Sequence, residues 1–226
     1  ECPVLFWKSK CVGYAIHDAG GDTLDASTLE LITELAFDAW RSVDCGGGAR
    51  PGFVAAPLGR VSCGRVEYNQ NAGNANVVFF NPAFEHELAE FTFALTTTTY
   101  ETTSGELYNA DIELNDSDYD FTVSDEEVGA DLLSILTHEV GHFFGLGHSF
   151  VPDATMEPFY MVGETDIRAL KPDDIAAICT LFPPGDGPPE TCNPLPRHGF
   201  SPDCREAQSE GKCATARAGD GRASSL

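Results

Sequence analysis

Three segments of the chain carry apolar residues at the spacing of an amphipathic helix. Two of them follow a Ser-x-x-Glu capping box, and the third follows a proline that suits the first helical turn. These starts are Ser27-x-x-Glu30, Ser124-x-x-Glu127 and Pro172. The first helix should end at the glycines after Cys45 and the third at Pro183, because neither glycine runs nor prolines continue a helix. The pattern therefore predicts three helices.

Runs rich in β-branched and aromatic residues surround the predicted helices and favour β-strands. The predicted strands cover 11–16, 52–56, 65–68, 76–80, 91–100 and 107–114. A Thr-Thr-Ser-Gly sequence at 102–105 indicates the turn of a hairpin between the last two, because serine and glycine suit tight turns. Together with the helices, these strands predict a globular α/β domain over residues 1–182.

Residues 183–226 differ from the rest of the chain, because they open with prolines and glycines and hold few large apolar residues. We interpret them as an appendage that cysteines hold to the domain. The eight cysteines include no Cys-x-x-Cys pair, which favours disulfides in an exported protein. Five lie within 1–182 and three in the appendage, so at least one disulfide must join the two parts if all are paired. Proximity in sequence suggests the pairs Cys179–Cys192, Cys2–Cys11 and Cys45–Cys63.

The net charge narrows the choice of partners. The 226 residues include 36 Asp or Glu and 13 Lys or Arg, a formal charge of −23, which repels nucleic acid and anionic membrane surfaces.

Hydrophobic residues make up 42%, enough for a core, and no apolar run reaches the roughly 20 residues of a membrane span. The chain begins at Glu1 without a signal-like stretch, so we expect a processed or trimmed form. We also expect a monomer.

One segment carries five residues whose spacing predicts a catalytic metal centre. His138 and His142 are four apart on the second predicted helix and so share a face, where two imidazoles can bind one Zn²⁺. Gly145 can end the helix in the left-handed conformation and let the chain bring His148 to the same metal. Three histidines leave a coordination position for water, and Glu139 can act as its base. Chance should produce this pattern only about once in 10⁵ such chains.

The pattern His-Glu-x-x-His-x-x-Gly-x-x-His, followed by a turn with a methionine, resembles the signature of the metzincin metallopeptidases. Met156, eight residues after His148, looks like that Met-turn, although a methionine that fills a gap in the core would be buried equally. Within the metzincins, Ser149 resembles the residue that follows the third histidine in matrixins. The sequences at 154–158 and 170–175 are also similar to the matrixin turn and to the start of the matrixin C-terminal helix.

This resemblance implies a fold and an activity. The fold would be α+β, with a twisted mixed five-stranded sheet, an active-site helix, a backing helix and a C-terminal helix. The activity would be zinc-dependent hydrolysis of internal peptide bonds in extended protein substrates, with a hydrophobic residue after the cut. The alternatives are a catalytically silent zinc-binding module and a zinc hydrolase that acts on a non-peptide substrate. Glu139 argues against the silent module, because an inactive relative has no use for the base.

The resemblance also implies where the substrate lies, extended and antiparallel to an edge strand above the metal. We assign that strand to 91–99, with 107–115 paired on its inner side. The segment 157–170 would form the wall of the pocket for the residue after the cut, and its aromatic residues could line this pocket or belong to the core. The candidate substrate-binding residues are Ala94, Leu95, Phe159 and Tyr160.

The chain departs from the matrixin pattern in the loop that binds a structural zinc and calcium in that family. His86 is its only histidine over 81–120, so we expect no second zinc. Several carboxylates in and after this stretch are chemically suited to Ca²⁺, although we interpret them as a solvated acidic loop. They are Asp111, Glu113, Asp116, Asp118, Asp120 and Asp125.

The appendage carries two weaker signals. The sequence at 196–203 loosely resembles the latency motif of matrixin propeptides, with His198 where the blocking cysteine would stand. A polar turn between disulfides is our preferred interpretation. The sequence at 211–214 resembles the start of bacterial C-terminal sorting tags. We therefore expect an exported protein, extracellular or at the cell surface.

Overall fold

The computed structural model describes residues 3–86, 91–185 and 192–205, and the backbone of 219–222. The helices are α1 (Ala26–Arg41), α2 (Leu132–Phe143) and α3 (Pro172–Leu181), with a short 3-10 turn at Asp166–Arg168. The strands are β1 (Cys11–His17), β2 (Val54–Val61), β3 (Val77–Asn81), β4 (Ala94–Tyr100), β5 (Leu107–Asn115), β6 (Phe121–Thr122), β7 (Ala130–Asp131) and β8 (Gly219–Arg222).

The main sheet is mixed and has the order β2-β1-β3-β5-β4-β8. The strands β1, β2, β3 and β5 pair in parallel, whereas β4 is antiparallel to β5. These five strands confirm the expected mixed sheet, and β5 lies on the inner side of β4 as predicted. The backbone of β8 pairs antiparallel with the outer side of β4, from Thr97 opposite Arg222 to Tyr100 opposite Gly219. The strand β4 is therefore not the outermost strand along this stretch.

The two faces of the sheet bury different clusters, because alternate residues of a strand point to opposite faces. The residues Tyr14 and Val78 face α1 and α2 and belong to the main core. In that core Tyr14 stacks on Phe37 of α1 at 4.1 Å, and Phe37 meets Phe143 of α2 edge-on at 5.0 Å. On the other face a small cluster packs against Phe200 of the appendage. The buried members of this cluster are Ala15, Val61, Val77 and Phe79.

Two helices begin where the sequence analysis did not expect them. The N-cap of α1 is Asp25, whose side chain accepts from the Thr28 N–H at 2.7 Å. The helix α2 is capped by Asp131 and begins at Leu132, whereas Glu127, the residue predicted to lie in its first turn, has a φ of +53°. That conformation is left-handed and incompatible with a right-handed helix. The start of α3 at Pro172 agrees with the prediction.

The predicted strand at 65–68 is wrong. In this segment the N–H of Glu67 donates to the side chain of Asp111 at 3.1 Å, not to the backbone of a neighbouring strand. The Glu67 carboxylate in turn accepts from the N–H of Arg205 at 2.9 Å. The segment is thus a loop that side-chain hydrogen bonds hold between the sheet and the appendage.

Among the described residues, three disulfides join distant parts of the chain: Cys11–Cys192, Cys45–Cys179 and Cys63–Cys204. All three pairs suggested by proximity are wrong, because folding brings together cysteines that are more than 130 residues apart. The parity argument is confirmed, since two of the disulfides join residues of 1–182 to the appendage. Cys2, Cys213 and the 211–214 sequence lie outside the described residues.

The described part of the appendage follows the face of the sheet opposite the helices. The carbonyl of Pro202 accepts from the N–H groups of Ser62 and Cys63, and Arg197 lies 4.2 Å from the centre of the Tyr108 ring. His198 is exposed in a turn between Cys192 and Cys204, as the preferred interpretation of this sequence predicted. The division at residue 183 remains a prediction. Among the described residues, no helix combines the length and hydrophobicity that crossing a bilayer requires.

Candidate metal centre and active site

Three histidines converge at the C-terminal end of α2. His138 and His142 are buried on one face of the helix, and their Nε2 atoms lie 3.1 Å apart. Gly145 has a φ of +100°, which a residue with a side chain rarely adopts, and the chain turns there to bring in His148. The Nε2 atom of His148 lies 3.2 Å from that of His142. The structure therefore brings together the three residues that the spacing predicted.

The hydrogen bonds of two of these rings determine which ring nitrogen carries the proton in the neutral form. The Nδ1 atom of His138 lies 2.7 Å from the carbonyl oxygen of Thr155, and that of His142 lies 2.8 Å from the carbonyl oxygen of Leu146. Since a carbonyl can only accept, each Nδ1 must donate, and in a neutral ring each Nε2 then carries a lone pair. Two lone pairs 3.1 Å apart repel unless a cation lies between them.

The three imidazoles fit a zinc ion. Tetrahedral coordination with Zn–N bonds of 2.0–2.1 Å requires nitrogen atoms about 3.3 Å apart, close to the separations observed. Burial lowers the pKa of His138 well below its ordinary value and that of His142 to about 4, and it also lowers the pKa of His148. The rings are therefore neutral near pH 7, the form that binds metal.

Glu139 lies next to His138 and is fully buried. The hydroxyl of Thr96 on β4 is 2.6 Å from one of its carboxylate oxygens and 3.1 Å from its carbonyl oxygen. The sequence analysis did not identify Thr96. It is the first of four consecutive threonines, and their pattern does not distinguish which of them reaches α2.

Met156 packs against α2 at Gly141. It is buried in the main core, and a methyl group at Gly141 would come within 2.2 Å of its Sδ atom. Its N–H and that of Thr155 donate to the buried carboxylate of Asp174 at 3.0 and 2.8 Å. The carbonyl of Thr155 accepts from His138, so Asp174 supports the His138 ring through the turn. Met156 is thus a core residue, and its role as a Met-turn remains a prediction.

Comparison with known proteins identifies the family. The family model described as Matrixin (Peptidase M10) matches residues 6–183. The chain belongs to the matrixin family. The family is one of zinc metalloendopeptidases, the class that the resemblance implied.

Three relatives illustrate the extent of the similarity. Matrix metalloproteinase-16 of Homo sapiens is 28% identical over 191 residues, which cover 84% of this chain and 29% of that protein. Metalloendoproteinase 5-MMP of Arabidopsis thaliana is 37% identical over 108 residues, 42% of this chain and 27% of the relative. Matrilysin of Rattus norvegicus is 44% identical over 57 residues, 25% of this chain and 21% of the relative. The chain therefore spans less than a third of the length of these relatives.

The candidate substrate-binding residues of this matrixin differ in exposure. Ala94 and Leu95 are buried in β4, opposite Leu114 and Glu113 of β5. Phe159 is 80% exposed and so lies outside the core. Tyr160 is half-buried and meets the ring of Phe93 edge-on, with the centroids 5.3 Å apart. Their contact with substrate remains a prediction.

The acidic residues near β5 are not all solvated, which corrects one expectation. Asp111 and Glu113 are buried on this strand, and Glu113 lies 3.0 Å from Nε2 of His86. Within the described residues, one further group of His, Cys and carboxylates converges closely enough for a metal ion, namely Cys63, Glu67 and Cys204. Both of its sulfurs are in a disulfide. A Ca²⁺ site among these carboxylates stays the less favoured interpretation.

Proposed function

We propose that this matrixin domain hydrolyses internal peptide bonds of extended polypeptides, with zinc held by His138, His142 and His148. The observation that carries this proposal is the convergence of three neutral imidazoles beside the buried carboxylate of Glu139. Because the chain spans under a third of its relatives, the proposal concerns this domain alone.

The residues of the site have distinct roles in this mechanism. Zinc, when bound, supplies a Lewis acid that activates water and polarises the scissile carbonyl. Glu139 takes the proton of the attacking water and passes it to the leaving amine. Thr96 donates to the Glu139 carboxylate and so orients it. Asp174 holds Thr155, whose carbonyl fixes the tautomer of His138 and leaves Nε2 for the metal.

The substrate lies antiparallel to β4 near Ala94 and Leu95 in this proposal. The position of Thr96 supports the placement, because this residue joins the strand to Glu139. The pairing of β8 with β4 begins at Thr97, one residue farther from the metal centre. The wall segment, residues 157–170, then flanks the residue after the cut. The exposed ring of Phe159 favours a hydrophobic residue at that position.

Three disulfides support an exported location for the protein, because such bonds persist in oxidising compartments. Protein and peptide substrates at the cell surface or outside the cell fit this location. We expect the domain to act as a monomer.

The test compares the wild type with Glu139→Gln, which keeps the size of the side chain and removes the base. The variant should retain zinc and the folded state while kcat on a denatured protein falls about 10²- to 10⁴-fold. A chelator should abolish the wild-type activity, and added zinc should restore it. Full activity of the variant would refute the mechanism. A wild type that binds zinc but cleaves neither proteins nor peptides would favour the silent module.

A further inference from the structure

Asp131 connects the helix that carries the metal-binding residues to the wall segment. This residue is fully buried and caps α2, where its carboxylate accepts from the N–H of Ser134 at 2.8 Å. The same carboxylate accepts two hydrogen bonds from the guanidinium of Arg168, at 2.8 Å from Nε and 2.6 Å from a terminal nitrogen. Two parallel hydrogen bonds between a guanidinium and a carboxylate fix the relative orientation of both groups.

A second contact joins the same two parts of the structure. The N–H of Asp131 donates to the hydroxyl of Tyr160 at 2.9 Å. That hydroxyl donates in turn to the carbonyl of Glu164, also at 2.9 Å. Tyr160, Glu164 and Arg168 all belong to the wall segment, so this segment is attached to the cap of α2 near both of its ends.

Apolar packing anchors the wall segment at only part of its length. Three of its large apolar side chains are mostly exposed, whereas Tyr160, Ile167 and Leu170 pack against the core. The exposed residues are Phe159, Met161 and Val162. The polar contacts to Asp131 therefore contribute much of what determines the position of the segment.

No other basic residue lies near Arg168 in the sequence on its N-terminal side. Arg168 is the only Lys or Arg between Arg65 and Lys171, a stretch that contains many carboxylates. Its guanidinium bridges the buried Asp131 and the exposed Asp125. Burial alone would raise the pKa of Asp131, yet the hydrogen bonds from Arg168 and Ser134 keep that pKa below its ordinary value.

We propose that Arg168 is a positioning residue which, through Asp131, sets the distance between the wall segment and α2 and thereby selects the residue accepted after the cut. This inference rests on the proposed function. Loss of the guanidinium lets the wall segment move away from the helix, while the metal ligands and Glu139 keep their places. The effect should fall on KM and on selectivity, with little change in kcat.

The test measures kcat and KM of Arg168→Ala on peptides that differ only in the residue after the cut. For the best wild-type peptide KM should rise about tenfold, the preference among peptides should flatten, and zinc content should not change. Arg168→Lys keeps the charge but loses the paired hydrogen bonds, so its KM and its preference among peptides should lie between those of the wild type and Arg168→Ala. Arg60→Ala is the matched control, because it breaks a surface ion pair with Glu30 between β2 and α1.

Hydrogen exchange provides a readout that does not depend on activity. In Arg168→Ala the amides of 157–170 should exchange faster, while those of α1 stay as in the wild type. If Arg168→Ala does not fold, Arg168→Lys and Tyr160→Phe test the same two contacts. A uniform loss of kcat with unchanged preference and unchanged exchange in the wall segment would overturn the inference. A wild type that cleaves no peptide would refute the proposed function, whereas the exchange result would still decide the positioning role.

Discussion

The hydroxyl of Thr96 lies 2.6 Å from a carboxylate oxygen of Glu139, and neither side chain is exposed to solvent. This contact joins β4 to α2, the helix that carries His138 and His142. Because the carboxylate is buried, a donor at this position stabilises its charged form and fixes its direction. The orientation of Glu139 thus depends on a residue of the sheet.

Replacing Thr96 with valine tests this dependence. Valine has nearly the same shape but no hydroxyl, so the carboxylate loses a hydrogen bond worth about 1.5–3 kcal/mol. We expect kcat on a peptide substrate to fall about tenfold or more, with zinc content unchanged. Thr96→Ser keeps the hydroxyl and is the matched control. Equal kcat values for the valine variant and the wild type would show that Glu139 needs no support from β4.

The contrast between His142 and Thr96 shows what the sequence could predict. His142 shares one helix with His138, so four residues of spacing are enough to define their geometry. Thr96 reaches Glu139 from a strand 43 residues away, and that contact depends on how β4 packs against α2. The spacing of apolar residues along the sequence does not show which distant elements pack together. The three converging histidines were therefore predictable, whereas the residue that contacts the Glu139 carboxylate was not.

The same reasoning explains the errors in helix starts and disulfides. The Ser124-x-x-Glu127 sequence has the form of a capping box, but Glu127 adopts a left-handed conformation and Asp131 caps the helix instead. A local signature does not show which of two nearby caps the tertiary contacts favour. The pair Cys45–Cys179, 134 residues apart, depends in the same way on where α1 and α3 end in space.

We expect Asp174 to affect zinc affinity through the turn that carries Thr155. Its carboxylate accepts from the N–H groups of Thr155 and Met156, and the Thr155 carbonyl orients His138. In Asp174→Asn the amide can no longer accept at both positions, so the turn should shift and zinc binding should weaken about 10- to 100-fold. Competition with a chromophoric chelator measures this change. Asp166→Asn, at an exposed position, should leave affinity unchanged.

Two glycines near the site make a matched pair for a test of packing. A methyl group at Gly141 would lie 2.2 Å from Sδ of Met156 and 2.7 Å from the ring of Trp40, whereas one at Gly147 would meet nothing within 4 Å. Overpacking of this kind costs about 1–3 kcal/mol or more. Urea unfolding should therefore show clear destabilisation for Gly141→Ala and a change within about 0.5 kcal/mol for Gly147→Ala. Similar midpoints for the two variants would contradict the close packing of Met156 against α2.

Asp111 should make the stability of the protein depend on pH. Burial raises its pKa to about 8, against the opposing hydrogen bonds from the N–H groups of Val77 and Glu67. In the unfolded chain the carboxyl loses its proton near its ordinary pKa of 3.8. Between these two values the folded state holds a proton that the unfolded state has released. Stability should therefore fall as pH rises through this window, by up to about 1.4 kcal/mol per pH unit, and level off above about pH 8.

The variant Asp111→Asn isolates this contribution, because an amide does not titrate in this range. Urea unfolding at about pH 5 and about pH 8 gives the drop in stability for each protein. We expect a smaller drop in Asp111→Asn than in the wild type. The exposed Asp120, changed to Asn, should leave the drop as it is in the wild type. Charge repulsion within a chain of net charge −23 also lowers the free energy of unfolding at high pH. This effect is nearly the same in the wild type and in Asp111→Asn, so it cancels when the two proteins are compared. Equal drops in the wild type and Asp111→Asn would mean that the hydrogen bonds outweigh burial and that Asp111 is ionised in the folded protein.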